Sequence, residues 1–128
     1  MTFLLDTHLL LWAAGSPERL TLETRQLLNG QGVILAFSVV SIWEVVIKSA
    51  LGRSDFRADA RQLRDGLLAN GYQELEIRSE HALAVGQLPP IHQDPFDRIL
   101  IALGLVEEFT LLTTDGDVSR YPGPIRTV

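Results

Sequence analysis

Residues Thr2–Asp6 (TFLLD) form a short apolar run that ends abruptly in an acid. A run of this length is typical of a strand buried on both faces, whose last residue emerges at the edge of the sheet. The pattern returns near the other end of the chain, where Leu111–Thr114 (LLTT) precedes Asp115. The two runs therefore predict strands of one buried sheet, each followed by a carboxylate.

Strands and helices alternate between these two runs. Parallel neighbours in a sheet need crossover connections, usually helices, so the alternation predicts an α/β fold with three α/β/α layers and a short central parallel sheet. No linker or repeat divides the 128 residues, and we expect one domain over residues 1–128. The predicted strands are Thr2–Leu5, Val33–Phe37, Glu74–Ile77, Thr110–Thr113 and Ile125–Val128, and the predicted helices are His8–Ala14, Thr21–Leu28, Ser41–Leu51, Phe56–Ala69, Ser79–Gly86 and Asp94–Glu107.

Composition excludes several classes of protein. With 46% hydrophobic and 21% charged residues, the chain has the balance of a globular domain rather than of a disordered one. Its apolar stretches are shorter than the roughly 20 residues that a bilayer requires, so no membrane span is expected. The N-terminus has no basic region followed by a cleavage site, and we therefore expect a cytoplasmic protein.

The chain has few residues suited to a nitrogen or sulfur metal site. There is no cysteine, and His8, His81 and His92 lie too far apart for a histidine-rich zinc motif. His8 and His92 lie near the acidic motifs described next, where packing or hydrogen bonding is favoured over catalysis. The net charge of −5 argues against simple electrostatic coating of nucleic acid, although ten of the eleven bases are arginine, which suits phosphate recognition. A metal would therefore use oxygen ligands.

Four acids are expected at one edge of the sheet. Asp6 and Asp115 follow strands, Glu44 lies at the start of the helix after the second strand, and Asp97 lies in the first turn of a later helix. Open parallel sheets bind ligands beyond the carboxyl ends of their strands. Two like charges 4 Å apart cost roughly 4 kcal/mol at an effective dielectric near 20, so such a group favours a divalent cation, and Mg²⁺ prefers oxygen ligands.

Each acid alone also has a structural interpretation. Ser41 and Glu44 have the spacing of a capping box, in which each side chain bonds the other residue's backbone amide. Asp94, followed by Pro95, is typical of a helix N-cap, and Asp6 could cap the first helix in the same way. Asp115 precedes a glycine, as in an Asx turn. These local roles do not explain why four acids fall at the same edge.

Taken together, four blocks of sequence resemble the PIN-domain ribonucleases, and in particular the VapC-type toxins of type II toxin–antitoxin (VapBC) pairs. The blocks are residues 4–12 (LLDTHLLLW), 41–48 (SIWEVVIK), 94–102 (DPFDRILIA) and 111–115 (LLTTD). The resemblance implies that the catalytic and metal-binding acids are Asp6, Glu44, Asp97 and Asp115. It implies supporting roles for Asp94, Asp117, Thr7, Thr113 and Thr114.

The resemblance also implies an activity and its partners. Such an enzyme hydrolyses RNA phosphodiester bonds with Mg²⁺ or Mn²⁺ held by the acidic residues, leaves 5′-phosphate and 3′-hydroxyl ends, and forms a homodimer. A small cognate VapB-type antitoxin inhibits it by occupying a hydrophobic groove. The alternative from another class is a non-catalytic PIN-like scaffold that binds RNA or protein.

Basic residues offer a route to RNA. Arg53, Arg57, Arg61 and Arg64 recur at spacings of four, four and three, which predicts a stripe along the Phe56–Ala69 helix. An ordinary solvated helix face explains the stripe as well as RNA contact does. Lys48 lies one helical turn beyond Glu44 and could pair with that acid or with phosphate.

A phosphatase or phospho-acceptor domain built around Asp6 fits less well. No second acid follows Asp6 two residues later, and no lysine follows the Leu111–Thr114 strand to assist phosphate chemistry. The four acids together therefore favour the nuclease.

Overall fold

The apolar runs form one parallel sheet of five strands in a computed structural model that describes all 128 residues. The strand order is β3-β2-β1-β4-β5, and all four neighbouring pairs are parallel. This confirms the three-layer α/β/α prediction. The strands are β1 (Thr2–Leu5), β2 (Ile34–Ser38), β3 (Gln73–Leu75), β4 (Thr110–Thr113) and β5 (Ile125–Thr127).

Six α-helices connect the strands and cover both faces of the sheet. They are α1 (Thr7–Gly15), α2 (Leu22–Leu28), α3 (Val39–Ala50), α4 (Ala60–Ala69), α5 (Ser79–Val85) and α6 (Pro95–Glu107), with short 3₁₀ helices at Pro17–Arg19, Ser54–Phe56 and Val118–Arg120. None of the helices combines the length and the apolar character that a membrane span needs.

The alternation of side chains along the strands divides the core in two. Phe3 and Leu5 of β1 point into a core under α1, α3 and α4, whereas Leu4 points into a second core under α5 and α6. β4 does the same, with Leu112 in the first core and Leu111 in the second. Both faces of the central strands are therefore buried, which explains why their sequences are continuous apolar runs.

The strand order reverses between β1 and β4. From β1 the chain builds outward through β2 and β3 on one side, and it returns to add β4 and β5 on the other. Leu5 pairs with Leu112, so the two strands end side by side. The backbone amide of Asp6 still donates to the carbonyl of Leu112, at 3.0 Å. This reversal opens a crevice at the carboxyl ends of β1 and β4, where such sheets bind ligands.

The helix predicted over Phe56–Ala69 is wrong at its start. Phe56 is fully buried and ends a 3₁₀ turn, and α4 begins only at Ala60. The Asp59 side chain caps α4 by accepting hydrogen bonds from the amides of Arg61 and Gln62. Since the chain leaves the helical path to bury Phe56, the residues before Ala60 do not share a helix face with those after it.

The capping box predicted at Ser41 and Glu44 is also wrong. Helix α3 begins at Val39, two residues earlier than expected, because the Ser38 hydroxyl accepts from the amide of Val40 at 3.0 Å. Ser41 and Glu44 are therefore inside the helix and their side chains are free for other contacts. The remaining elements lie within two residues of their predicted bounds.

Candidate active site

One cavity of about 400 Å³ gathers the four predicted acids at the carboxyl ends of β1 and β4. It also contains Thr7, Thr114, Asp94 and Lys48 from the predicted set, whereas Asp117 does not line it. The complete lining is Asp6, Thr7, His8, Trp12, Glu44, Lys48, Arg53, His92, Asp94, Asp97, Thr114 and Asp115.

Asp6 caps α1 and faces the cavity at the same time. Its Oδ1 accepts from the amide of Leu9 at 2.9 Å, which is the capping role anticipated from the sequence. Its Oδ2 accepts from the Thr113 hydroxyl at 2.7 Å, so β4 orients the acid that follows β1. Burial raises the pKa of Asp6, and the hydrogen bonds from Leu9 and Thr113 partly offset this effect. Asp6 therefore both caps α1 and contributes a carboxylate to the cavity.

Glu44 is held from two sides on the buried wall of the cavity. Its Oε1 accepts from the Thr7 hydroxyl at 2.5 Å, and Thr7 Oγ1 also lies 2.9 Å from Ser41 Oγ. Its Oε2 lies 2.5 Å from the Lys48 ammonium, which is a further 3.6 Å from Asp94. Because Glu44 is only 3% exposed, Lys48 is the charge that compensates it in the metal-free protein.

Asp97 projects from the first turn of α6 among other acids. Burial raises its pKa to about 6, and the nearby charges of Asp94, Glu44 and Asp6 add to the rise. The charge of His92 acts in the opposite direction. A pKa this high means that the protein stabilises the negative charge of Asp97 less well than water does.

Asp94 and Asp115 combine structural and cavity-facing positions. Asp94 caps α6 by accepting from the amide of Phe96 at 2.8 Å. Asp115 forms the anticipated turn, in which its Oδ1 accepts from the amide of Asp117, also at 2.8 Å. The Asp117 side chain itself is 59% exposed and lies 3.6 Å from Arg120, outside the cavity.

The four arginines predicted to lie along one helix face do not share a helix. Arg53 and Arg57 precede α4, and only Arg61 and Arg64 lie on it. Arg53 lines the acidic cavity and pairs with Asp55 at 2.9 Å. The remaining three lie away from the cavity, and Arg64 pairs with Glu74 at 2.6 Å.

His92 lines the cavity and makes the hydrogen bonds that the sequence led us to expect. Its Nε2 lies 2.9 Å from Asp97 Oδ2 and 3.6 Å from Asp115 Oδ2. A hydrogen-bonding role was expected, but nothing in the spacing placed the ring between two of the four acids. The only available signal is its position just before the DPFD block.

The side chains of this cavity fit a divalent cation. Carboxylate oxygens dominate, and ligand atoms of His92, Asp94 and Asp97 lie within 4.8 Å of one another. Burial and then the neighbouring acids raise the pKa of Asp97, and a bound cation would stabilise its charged form against both effects. A second cluster, formed by Glu80, His81 and Glu107, fits less well because the Arg78 guanidinium already bridges its two acids.

Comparisons with known proteins agree with this fold. A family model described as PIN domain matches residues 3–124. No curated protein matches the chain.

Solved structures of low sequence identity share the architecture. VapBC2 from Rickettsia felis, bound to a DNA fragment from its promoter, is 13% identical, with a TM-score of 0.73 over 100% of this chain and 99% of its own. DNA-bound VapBC from Salmonella typhimurium is 19% identical, with a TM-score of 0.65 over 99% and 98%. A toxin–antitoxin complex from Klebsiella pneumoniae is also 19% identical, with a TM-score of 0.63 over 98% and 94%.

Proposed function

The chain belongs to the PIN-domain family, and from this premise we propose that it is a metal-dependent endoribonuclease and the VapC-type toxin of a type II toxin–antitoxin pair. The family match spans residues 3–124, and we propose that residues 1–128 form a single PIN domain. RNA is the proposed substrate, and we expect the enzyme to act in the cytoplasm, where that substrate is found.

The observation that carries the proposal is the convergence of Asp6, Glu44, Asp97 and Asp115 on one cavity. Separately, each of these acids has a local explanation or a local partner. Burial, reinforced by the charges of Asp94, Glu44 and Asp6, keeps the pKa of Asp97 near 6, which is a cost to a protein at neutral pH unless a cation binds. A cation site at the strand-order reversal is the position expected for chemistry in an open parallel sheet.

Mg²⁺ or Mn²⁺ would be held by these four acids, with Asp94 supporting them. When bound, such an ion lowers the pKa of a water molecule and offsets the charge that develops on the phosphate oxygens during hydrolysis. The products expected from attack of water at phosphorus carry 5′-phosphate and 3′-hydroxyl ends. No histidine or lysine is needed as a general base for this reaction.

The hydroxyls around the cavity orient the acids. Thr7 fixes one oxygen of Glu44, and Thr113 fixes one oxygen of Asp6. Such contacts restrict carboxylate rotation and keep the ligands in a defined arrangement before a cation arrives. Thr114 lines the mouth of the cavity and is an additional hydroxyl for substrate or bound water.

The positive charges proposed to bind the RNA backbone lie in and near the cavity rather than over the whole surface. Lys48 and Arg53 line the cavity itself, so we propose that they contact the phosphates nearest the cleavage site. Arg57, Arg61 and Arg64 are exposed and are proposed to contact phosphates farther along the strand. This arrangement lets a chain of net charge −5 hold RNA locally.

A cognate VapB-type antitoxin is the proposed inhibitor. A groove of about 580 Å³ between α1, α2 and α4 is lined by half-buried apolar side chains that include Ala13, Leu28 and Tyr72. A helix or extended segment of an antitoxin could bury these side chains. The structural likeness to VapBC complexes supports this kind of partner. We also propose that the protein forms a homodimer.

The test of the nuclease is metal-dependent cleavage of a mixed RNA pool. We expect Mg²⁺ or Mn²⁺ to produce fragments with 5′-phosphate ends, and chelator to abolish them. Asp6→Asn and Asp97→Asn should abolish cleavage as well, and asparagine at position 6 retains the capping oxygen, so that variant keeps its fold. Asp117→Asn, which changes an acid outside the cavity, should cleave normally.

Cleavage that survives in chelator or in both cavity variants would contradict the proposal. Mn²⁺ binding without any cleavage would favour the non-catalytic scaffold.

A further inference from the structure

His92 is the one histidine whose ring lies directly between acids of the cavity. Its Nε2 is 2.9 Å from Asp97 Oδ2 and 3.6 Å from Asp115 Oδ2. The other histidine of the cavity, His8, instead lies 3.4 Å from Asp55 and packs edge-on against Phe56. The two rings therefore occupy different parts of the same cavity.

The backbone of His92 is fixed by the second core. Its amide donates to the Tyr121 hydroxyl at 2.6 Å, and that hydroxyl lies 3.0 Å from its carbonyl oxygen. Tyr121 is buried, and Arg98 donates to the same hydroxyl at 3.1 Å. Since Arg98 follows Asp97 on α6, one helix positions both the acid and the histidine.

The distances around Nε2 suit a shared ion. Two ligands in adjacent positions of an octahedral ion, each at about 2.1 Å, are roughly 3 Å apart. Nε2 lies 2.9 Å from Asp97 Oδ2, a hydrogen bond in this structure that also has the spacing of two adjacent ligands. It lies 3.6 Å from Asp115 Oδ2, which is longer than that spacing. A ligand atom of Asp94 belongs to the same 4.8 Å group.

His81 shows what a purely structural histidine looks like in this fold. Its Nδ1 accepts from the amide of Arg78, and its Nε2 lies 2.9 Å from Glu107. Both ring nitrogens are thus used in holding the start of α5 against the end of α6, and the ring is fully buried. His92 caps no helix, and its Nε2 faces only the acids proposed to bind metal.

We propose that Nε2 of His92 is a ligand of the divalent ion, beside Asp94 and Asp97, and that it makes the site selective for Mn²⁺ over Mg²⁺. This assignment rests on the proposed metal-dependent function. Mg²⁺ takes oxygen ligands almost exclusively, whereas first-row transition ions accept imidazole nitrogen. In this role the imidazole is neutral, with its proton on Nδ1.

Pulsed electron paramagnetic resonance of bound Mn²⁺ tests the assignment directly, because a coordinated imidazole couples ¹⁴N to the Mn²⁺ electron spin. The full-length protein should show this coupling. His92→Gln should lose it and bind Mn²⁺ at least about tenfold more weakly, because loss even of a residue that only supports a metal ligand costs about 10–100-fold, while Mg²⁺ affinity changes much less. His8→Gln, the matched control, should keep both the coupling and the Mn²⁺ affinity. Circular dichroism of each variant verifies that it is folded.

The possible results distinguish failure of the His92 ligand assignment from failure of the proposed nuclease function. Bound Mn²⁺ without ¹⁴N coupling, or coupling that persists in His92→Gln, overturns the ligand assignment and leaves the nuclease proposal standing. In that case His92 would be a donor that orients Asp97. A protein that binds no Mn²⁺ at all overturns the ligand assignment and the metal-dependent function together.

Discussion

Asp97 gives the metal-free protein an unusual dependence of stability on pH. Its pKa is about 6 in the folded chain, against about 4 for an aspartate in an unfolded chain. Below pH 4 the group is protonated in both states and has no effect. Between pH 4 and pH 6 the unfolded state loses this proton first, so the free energy of unfolding falls as pH rises, by up to about 3 kcal/mol in total.

Asp97→Asn should therefore stabilise the chelator-treated protein at pH 7 and make little difference at pH 4. Urea unfolding of both proteins across this range measures the difference between them, so that the titration of all other groups cancels. Asp117→Asn, which removes an exposed acid, is the control and should show no such pH-dependent gain. Parallel stability curves for wild type and Asp97→Asn would mean that the cavity does not disfavour the Asp97 charge.

We expect Lys48 to compete with a bound metal ion for Glu44. Its ammonium lies 2.5 Å from Glu44 Oε2 and 3.6 Å from Asp94, so a cation at Glu44 must displace it or share the oxygen. Lys48→Met should bind Mn²⁺ roughly tenfold more tightly, a gain of about 1.4 kcal/mol. Without metal the same variant should be less stable, by about 3 kcal/mol or more, because Glu44 is left as a buried unpaired charge.

Arg53→Gln is the matched control for Lys48, because it removes the same charge from the same cavity without touching Glu44. Isothermal titration with Mn²⁺ should show a smaller gain for Arg53→Gln, about threefold or less, as expected for a longer-range effect partly screened by water. Equal gains in the two variants would mean that net charge, rather than direct competition, sets the metal affinity.

Helix α6 supports the loop that carries His92 and Asp94. Arg98 donates to the carbonyls of Val85 and Pro89 as well as to the Tyr121 hydroxyl, and these bonds connect a segment that has no regular structure of its own. Arg98→Met should cost about 1–3 kcal/mol, since it leaves part-buried carbonyls without a donor. Amide hydrogen exchange should accelerate in residues 86–94 while β1 and β4 remain protected. Unchanged exchange in that segment would show that other contacts hold it.

Elements whose boundaries depend on apolar burial were predictable from sequence. β1 and β4 have their predicted bounds because each is a run with both faces in a core. The start of α3 was not predictable in the same way, because Ser38 and Ser41 are both good N-caps and only the end of β2 decides between them. The break before α4 depends on the burial of Phe56, a tertiary contact that overrides a continuous helical pattern.

The candidate site was predictable to the extent that it follows from strand ends. Asp6 and Asp115 had to share an edge once the sheet was parallel, and Glu44 and Asp97 had to lie near it on helices that begin at this edge. His92 lies in an irregular loop, so no periodicity fixes its direction. Its place between two acids depends on Tyr121, which is 29 residues away in the chain.

At the scale of the whole molecule, the acidic cavity and the apolar surfaces are separate. The proposed antitoxin groove lies between α1, α2 and α4, whereas a second apolar region faces outward from α3. There Trp43 is 58% and Val46 52% exposed, and Leu51, just after the helix, is 72% exposed. Because these three apolar side chains lie only three to eight positions apart, the region is more than a single exposed apolar residue.

We expect the side of α3 that carries Trp43 and Val46 to form the proposed homodimer, because two copies would bury these side chains against each other. Val46→Glu would place a charge at the centre of the contact and should convert the dimer to a monomer, a shift that light scattering after size-exclusion chromatography measures as a halved mass. Leu22→Glu, on α2, removes an equally exposed apolar side chain and should leave the dimer intact. Because Val46 does not line the acidic cavity, monomeric Val46→Glu should still bind Mn²⁺. A dimer that survives Val46→Glu, or a monomeric wild-type protein at micromolar concentration, would contradict this interface.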